Sequence, residues 1–159
     1  MVDVVDPATR SRMMAGIKGK DTKPELLIRR LLHARGFRFA LKPARLPGRP
    51  DIVLPRWRVA VFVHGCFWHW HRCSLSKMPS SNRPFWEEKL QKNSDRDAQA
   101  QMQLVSMGWR VATIWECATR TAAAKAGLEQ VMTELANWIR NSPTVMTFET
   151  KKTDHADLR

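Results

Sequence analysis

No stretch of this chain approaches the roughly 18 consecutive apolar residues of a membrane-spanning helix. Its first residues, with Asp3 and Asp6 and no apolar segment, are not expected to act as a secretion signal. A cytoplasmic protein of a bacterial-type cell, associated with the nucleoid, is expected, with a nuclear protein as the alternative and no membrane partner. Acidic residues are scarce. The chain has 15 Asp and Glu against 27 Lys and Arg, a formal net charge of +12, which exceeds a solubility margin and favours a polyanion, with nucleic acid ahead of an anionic membrane surface. Cysteine is also sparse. Three thiols cannot all pair within one chain, and in a reducing compartment they remain thiols or metal ligands. Nothing repeats along the sequence, and 159 residues suit one domain with a real core.

What the chain does have is concentrated. Three of the five histidines, two of the three cysteines and two of the seven tryptophans lie between His64 and Cys73, a density that neither a core strand nor an ordinary surface loop requires. The expectation is an active site beside a metal clip.

Residues 1–20 read as a flexible basic arm, with Arg10, Arg12, Lys18 and Lys20 available to grip phosphates and order on DNA. A domain over 21–141 follows. Thr22-Lys23-Pro24-Glu25 has the form of a capping box with proline in the first turn, which already gives Glu25 a structural role, and Gly36 stops the helix. Phe37 to Leu41 alternates like a strand. Asp51 opens a short strand, and Trp57 to Val63 returns as its hairpin partner, ending at His64. A helix from Pro84 to Gly108, a strand from Trp109 to Trp115 and a helix from Thr121 to Ile139 complete an α/β fold with a mixed central sheet flanked by helices. Residues 142–159 read as a loose tail.

Cys66, His71 and Cys73 supply three soft or borderline ligands within eight residues, and Cys117 a fourth, a Cys3His set suited to structural zinc. Phosphodiester hydrolysis needs a carboxylate-held divalent cation and a base. Asp51 can hold magnesium through oxygen, His64 and His69 can serve as base and acid, and Asp97 can orient an imidazole. Taken singly, a strand-start acid is ordinarily a turn residue and a helix acid is ordinarily solvated. Phe67, Trp68 and Trp86 are planar groups suited to wedging between base pairs, and Lys89 and Asn93, four apart on a helix, can reach base edges together.

Leu46-Pro47-Gly48-Arg49-Pro50-Asp51, the run Val61 to His69 containing His64-Gly65-Cys66-Phe67-Trp68-His69, His71-x-Cys73, the Phe85-Trp86-x-x-Lys89 to Asn93-x-x-x-Asp97 helix and Trp115-Glu116-Cys117 resemble the very-short-patch-repair DNA mismatch endonucleases. The opening Asp6-x-Ala8-Thr9-Arg10-Ser11 fits as well, so the likeness spans about residues 3 to 140. It implies a restriction-endonuclease-like core, and a magnesium-dependent nick in one strand 5′ of the thymine of a T:G mismatch, the product of 5-methylcytosine deamination. By position it makes Asp51 the metal ligand, His69 the water-activating base, His64 and Asp97 its partners, and Glu25 an accessory acid. Cys66, His71, Cys73 and Cys117 become the zinc ligands, Phe67, Trp68 and Trp86 the intercalators, and Lys89 and Asn93 the mismatch readers. Val63 stands where family members carry threonine, but the metal contact there is a main-chain carbonyl. A monomer acting on double-stranded DNA, with other repair proteins as possible partners, is expected. The alternatives are a restriction-type endonuclease on matched duplex and a non-enzymatic zinc-dependent DNA-binding protein.

Overall fold

Between Val59 and His64 successive side chains alternate, and that alternation sets the architecture. In this strand, β2 (Val59–His64), Val59, Val61 and Val63 point to one face and Ala60, Phe62 and His64 to the other. In the computed structural model, which describes residues 6–15, 21–40, 45–120, 122–143 and 145–148, every residue of β2 is buried. It pairs antiparallel with β1 (Ile52–Leu54), placing Ile52 opposite Val61, and parallel with β3 (Arg110–Trp115), placing His64 opposite Trp115. A fourth strand, β4 (Met146–Phe148), runs parallel to β3, so the sheet order is β1-β2-β3-β4 and the sheet is mixed, as expected.

The odd-numbered face of β2 is covered by α2 (Lys23–Ala34) and by α5 (Ala122–Asn141), which follows the short α4 (Cys117–Arg120). Ile28, Leu32, Met132, Leu135 and Ile139 close over Ile52, Leu54, Ile114 and the three valines, each fully buried aliphatic contributing about 1.5–3 kcal/mol. The even-numbered face carries α3 (Arg83–Ser106), where only Ala60, Phe62, Leu104 and Val111 form a core. The next residue on that face is His64. The smaller core thus ends where the chemistry begins.

Helix α2 is capped by Thr22, whose hydroxyl accepts the Glu25 N–H at 3.4 Å. The Glu25 carboxylate returns to the Asp21 N–H, one residue before the expected partner. At the other end Gly36 takes φ +87°, and N–H bonds from Gly36 to His33 O and from Phe37 to Leu32 O close a Schellman motif. Helix α3 ends in the same way at Gly108.

Four expectations change. Residues 37–40 are not a strand: Phe37 is buried at the end of α2, and one bond, Ala40 N–H to Val53 O at 2.9 Å, is all that joins the segment to the three-residue β1. Leu41 lies outside the described residues. The β2 strand starts at Val59, because Pro55–Trp57 forms a 3-10 turn. The tail expected to be loose from residue 142 contains β4, whose short run, Val145 to Phe148, finds a ladder on the open edge of β3. The N-terminal arm contains α1 (Pro7–Ala15), started by Asp6, which accepts the Thr9 N–H at 2.9 Å and the Thr9 hydroxyl at 2.6 Å. That capping signal, acid then proline, was present in the sequence.

A candidate active site beside a metal centre

Asp51 stands immediately before β1, opposite the last turn of β2, and its Oδ2 accepts the Val63 N–H at 2.7 Å. Within a strand the N–H and C=O of one residue leave on the same side, so the Val63 carbonyl also emerges beside Asp51, while the Val63 side chain is sequestered in the larger core. Valine is therefore as serviceable as threonine at this position. Glu25 on α2 is 2 % exposed and packs beside Asp51. Arg29 ties the two together, donating to the Asp51 carbonyl at 3.0 Å and lying 3.6 Å from the Glu25 carboxylate. Burial, reinforced by the Glu25 charge and opposed by the Val63 hydrogen bond, pushes the Asp51 carboxyl up to about 7. Two carboxylates, Glu25 buried and Asp51 half-buried, each with one oxygen committed, and a carbonyl at their edge form a hard, anionic oxygen set, and such a set fits magnesium.

On the α3 face, His64 and His69 stack with centroids 3.7 Å apart and planes 1° from parallel. Asp97 on α3 binds His69 Nδ1 at 2.5 Å, which places the proton on Nδ1 and leaves Nε2 as the basic nitrogen. His64 is 8 % exposed, its Nδ1 has no hydrogen-bond partner among the described residues, and burial together with the neighbouring His69 pulls its pKa down to about 3. The two imidazoles differ accordingly: His64 is held neutral, and His69 is the one equipped to take a proton. Glu25, Asp51, Val63, His64, His69 and Asp97 all line a single cleft of about 600 Å³. The structure brings every expected catalytic residue together.

Beyond His64, a single residue, Gly65, leads to the second centre. Cys66, His71, Cys73 and Cys117 place their ligand atoms within 4.8 Å of one another. A tetrahedral site with zinc–sulfur bonds of about 2.3 Å needs sulfurs about 3.8 Å apart. The Cys66 thiol is pushed upward, first by its contact with Cys117 and then by burial, the penalty that a cation would remove. The set fits zinc. One bond ties the chain leading to Cys117 to the catalytic strand, Glu116 N–H to His64 O at 2.8 Å, and another, Cys117 N–H to Cys66 Sγ at 3.3 Å, joins two of the ligands to each other.

Phe67, Trp68 and Trp86 form one half-buried cluster, with ring centroids 5.0 to 6.2 Å apart. Trp68 also lines the catalytic cleft. Phe85, 49 % exposed, extends the cluster from Trp86 and was not anticipated. The Lys89 ammonium lies 5.5 to 5.8 Å from the rings of Trp86, Trp68 and Phe85, and the Asn93 amide donates to the Trp68 carbonyl at 3.0 Å. Trp115, expected in the core, instead stacks on His71 at 4.4 Å and sets its edge against His64 at 5.3 Å, so it separates the two centres. Only its place next to Glu116-Cys117 hinted at this. Arg12 is exposed on α1, 3.2 Å from the Thr9 hydroxyl. The Arg10 side chain, and Lys18 and Lys20, lie outside the described residues.

With this geometry in view, comparison with known proteins is informative. The family described as DNA mismatch endonuclease Vsr matches over residues 2–75. The DNA mismatch endonuclease Vsr of Escherichia coli is 44% identical over 139 residues, 87% of this chain and 88% of that protein. A Type II nicking enzyme of Xanthomonas oryzae, V.XorIIP, is 44% identical over 117 residues, 74% of this chain and 86% of that enzyme. Another from Neisseria meningitidis, V.NmeAIP, is 42% identical over 123 residues, 77% and 88% of the two chains. No helix among the described residues is long and apolar enough to cross a membrane. A match of 139 residues in a chain of 159 cannot avoid the cleft or the cysteine cluster, and the chain belongs to the DNA mismatch endonuclease Vsr family, whose partner is DNA.

Proposed function

We propose that this endonuclease nicks one strand of duplex DNA 5′ of the thymine in a T:G mismatch, with magnesium in the cleft and zinc in the cysteine cluster, so that mismatches left by 5-methylcytosine deamination can be repaired. The observation that carries this reading is the single cleft in which Asp51, Glu25, the Val63 main chain and the His69–Asp97 pair meet, with Trp68 of the aromatic cluster on its wall.

Asp51 and the Val63 carbonyl would hold magnesium, which when bound neutralises phosphate charge and acidifies water. His69 Nε2 accepts the proton of the attacking water, and Asp97 fixes the ring and stabilises the imidazolium. His64, neutral and stacked on His69, keeps water and a second charge away from that ring. Glu25 adds negative charge beside Asp51 and strengthens its hold on a cation.

A T:G wobble stacks less well than a matched pair, and opening a step costs a few kcal/mol, less at a mismatch. Phe67, Trp68 and Trp86 are the wedge. Lys89 and the Asn93 amide oxygen face the base edges from the same helix, Asn93 having committed its NH2 to Trp68. Arg10, Arg12, Lys18 and Lys20 hold phosphates from the N-terminal arm, and the restriction-endonuclease-like core acts as a monomer on the nucleoid, with other repair proteins as further partners. A strand-specific assay with magnesium on one duplex carrying T:G, T:A or C:G tests the proposal: T:G should be nicked in the thymine strand alone. Cleavage of T:A at an equal rate would favour the restriction-type alternative, and no cleavage at all would favour a binding protein.

A further inference from the structure

We infer that Arg49 is a phosphate-binding residue of the active site, gripping a non-bridging oxygen of the linkage that is cut. Among the residues that line the catalytic cleft, Arg49 is the one lysine or arginine, in a lining that carries the acidic residues Glu25, Asp51, Asp97 and Glu116. A cleft so acidic would repel a phosphodiester unless a cationic side chain met it.

The backbone holds Arg49 in place. Its φ is +50°, left-handed for a long side chain, where glycine or asparagine would sit with less strain. Gly48 before it, at φ +73°, is pressed so close to the fold that a methyl group there would lie 2.6 Å from Ala100 Cβ and 3.2 Å from the Phe62 ring. The Arg49 N–H closes the turn on Leu46 O at 3.1 Å, and Pro50 behind it is buried. The loop is therefore anchored to α3 and β2, and the only part of Arg49 left to move is its side chain.

That side chain is uncommitted. Arg29, Arg35, Arg58 and Arg110 each donate to carboxylates or carbonyls, whereas the Arg49 guanidinium, exposed at the cleft, has no hydrogen bond or ion pair among the described residues. A planar fork with five donors matches two phosphate oxygens, and it adds most where charge accumulates. In this reaction a water oxygen bonds to phosphorus, its proton passes to His69, and the ester oxygen leaves with the bonding pair and is protonated by solvent. The charge that grows on the non-bridging oxygens is what Arg49 meets.

The assignment rests on the nuclease reading above, and the wild-type rate tests that reading independently of any variant. The test of Arg49 is the ratio of variant to wild-type single-turnover rates, on whichever duplex the wild type cuts fastest. Arg49→Asn, which tolerates the left-handed backbone, should be slower by roughly 10²-fold, with melting temperature and zinc content essentially unchanged. Arg49→Lys should recover part of the rate. Replacing one non-bridging oxygen at the cut linkage by sulfur should slow the wild type for one diastereomer, and that penalty should shrink in Arg49→Asn. A rate for Arg49→Asn within about twofold of wild type, or a slow variant that keeps the full sulfur penalty, would overturn the assignment.

Discussion

Two groups of potential metal ligands lie within one short stretch, and they behave differently. Cys66, His71, Cys73 and Cys117 form one; His64, His69 and Asp97 form the other, and in both the ligand atoms lie within 4.8 Å of one another. In the first, one loop supplies three of the atoms and Cys117, after β3, the fourth, with its Sγ 3.7 Å from His71 Nδ1. In the second, two imidazoles lie in parallel planes and their lone pairs run side by side. An ion about 2.0 Å from one ring nitrogen, in its plane, cannot also lie in the plane of the other. Asp97 already occupies His69 Nδ1. Proximity of ligand atoms is therefore insufficient, and the arrangement of the rings separates a set that fits an ion from one that does not.

The strongest way to break this contrast is Cys117→Ser. Structural zinc sites contribute on the order of 10 kcal/mol to folding, so elemental analysis should show zinc falling well below one equivalent and the melting temperature should drop by more than about 10 °C. His69→Ala should retain full zinc. Loss of zinc from both variants would mean that the groups are not separable. Next in size is Asp51→Asn, which should lower the nicking rate by roughly 10³-fold or more while DNA binding persists in a gel-shift titration. Unimpaired nicking would remove Asp51 from the site. Asp97→Asn acts through His69 and should slow the reaction by about 10–100-fold, with the loss appearing in single-turnover rates while gel-shift affinity is kept. An unchanged single-turnover rate would dissociate Asp97 from the chemical step.

The smallest effect concerns stability without magnesium. Asp51, raised to about 7, is protonated in the folded chain but ionised in the unfolded chain between about pH 4 and 7, so its contribution falls as pH rises through that window. His64, lowered to about 3, has the opposite sign: between about pH 3 and 6.5 the unfolded chain takes up a proton that the folded chain refuses, and stability rises with pH. The slopes oppose each other in the wild type. In Asp51→Asn only the histidine slope remains, so its melting temperature should climb more steeply from pH 4 to 6.5. Parallel profiles for the two proteins would show that the Asp51 carboxyl is not raised.

The cysteine–histidine cluster and the cleft were legible because their residue types are chemically unusual and close in sequence, and because period-two alternation in β2 puts His64 on the sheet face covered by α3, which carries Asp97. What escaped depended on partners distant in the chain. Phe37 to Ala40 alternates like a strand but has no edge long enough to join, whereas the Met146–Phe148 segment is unremarkable until β3 offers one. Trp115 has the sequence context of a core strand residue, and only the folded loop shows it stacked on His71. Arg110 likewise carries no local signal of its role. Its guanidinium in fact gathers the carbonyls of Trp57, Trp138, Ile139 and Ser142, fixing the end of α5.

Gly65 is the whole distance between the last rung of β2 and the first thiol of the metal knot. One residue inserted there would swing Cys66 to the opposite side of the strand's continuation, and one removed would drag His64 out of its stack. Evolutionary drift in this stretch is thus restricted to exchanging one side chain for another. Length changes among relatives should be found elsewhere in their alignments, leaving the spacing from His64 to Cys66 as the register mark by which distant members can be recognised.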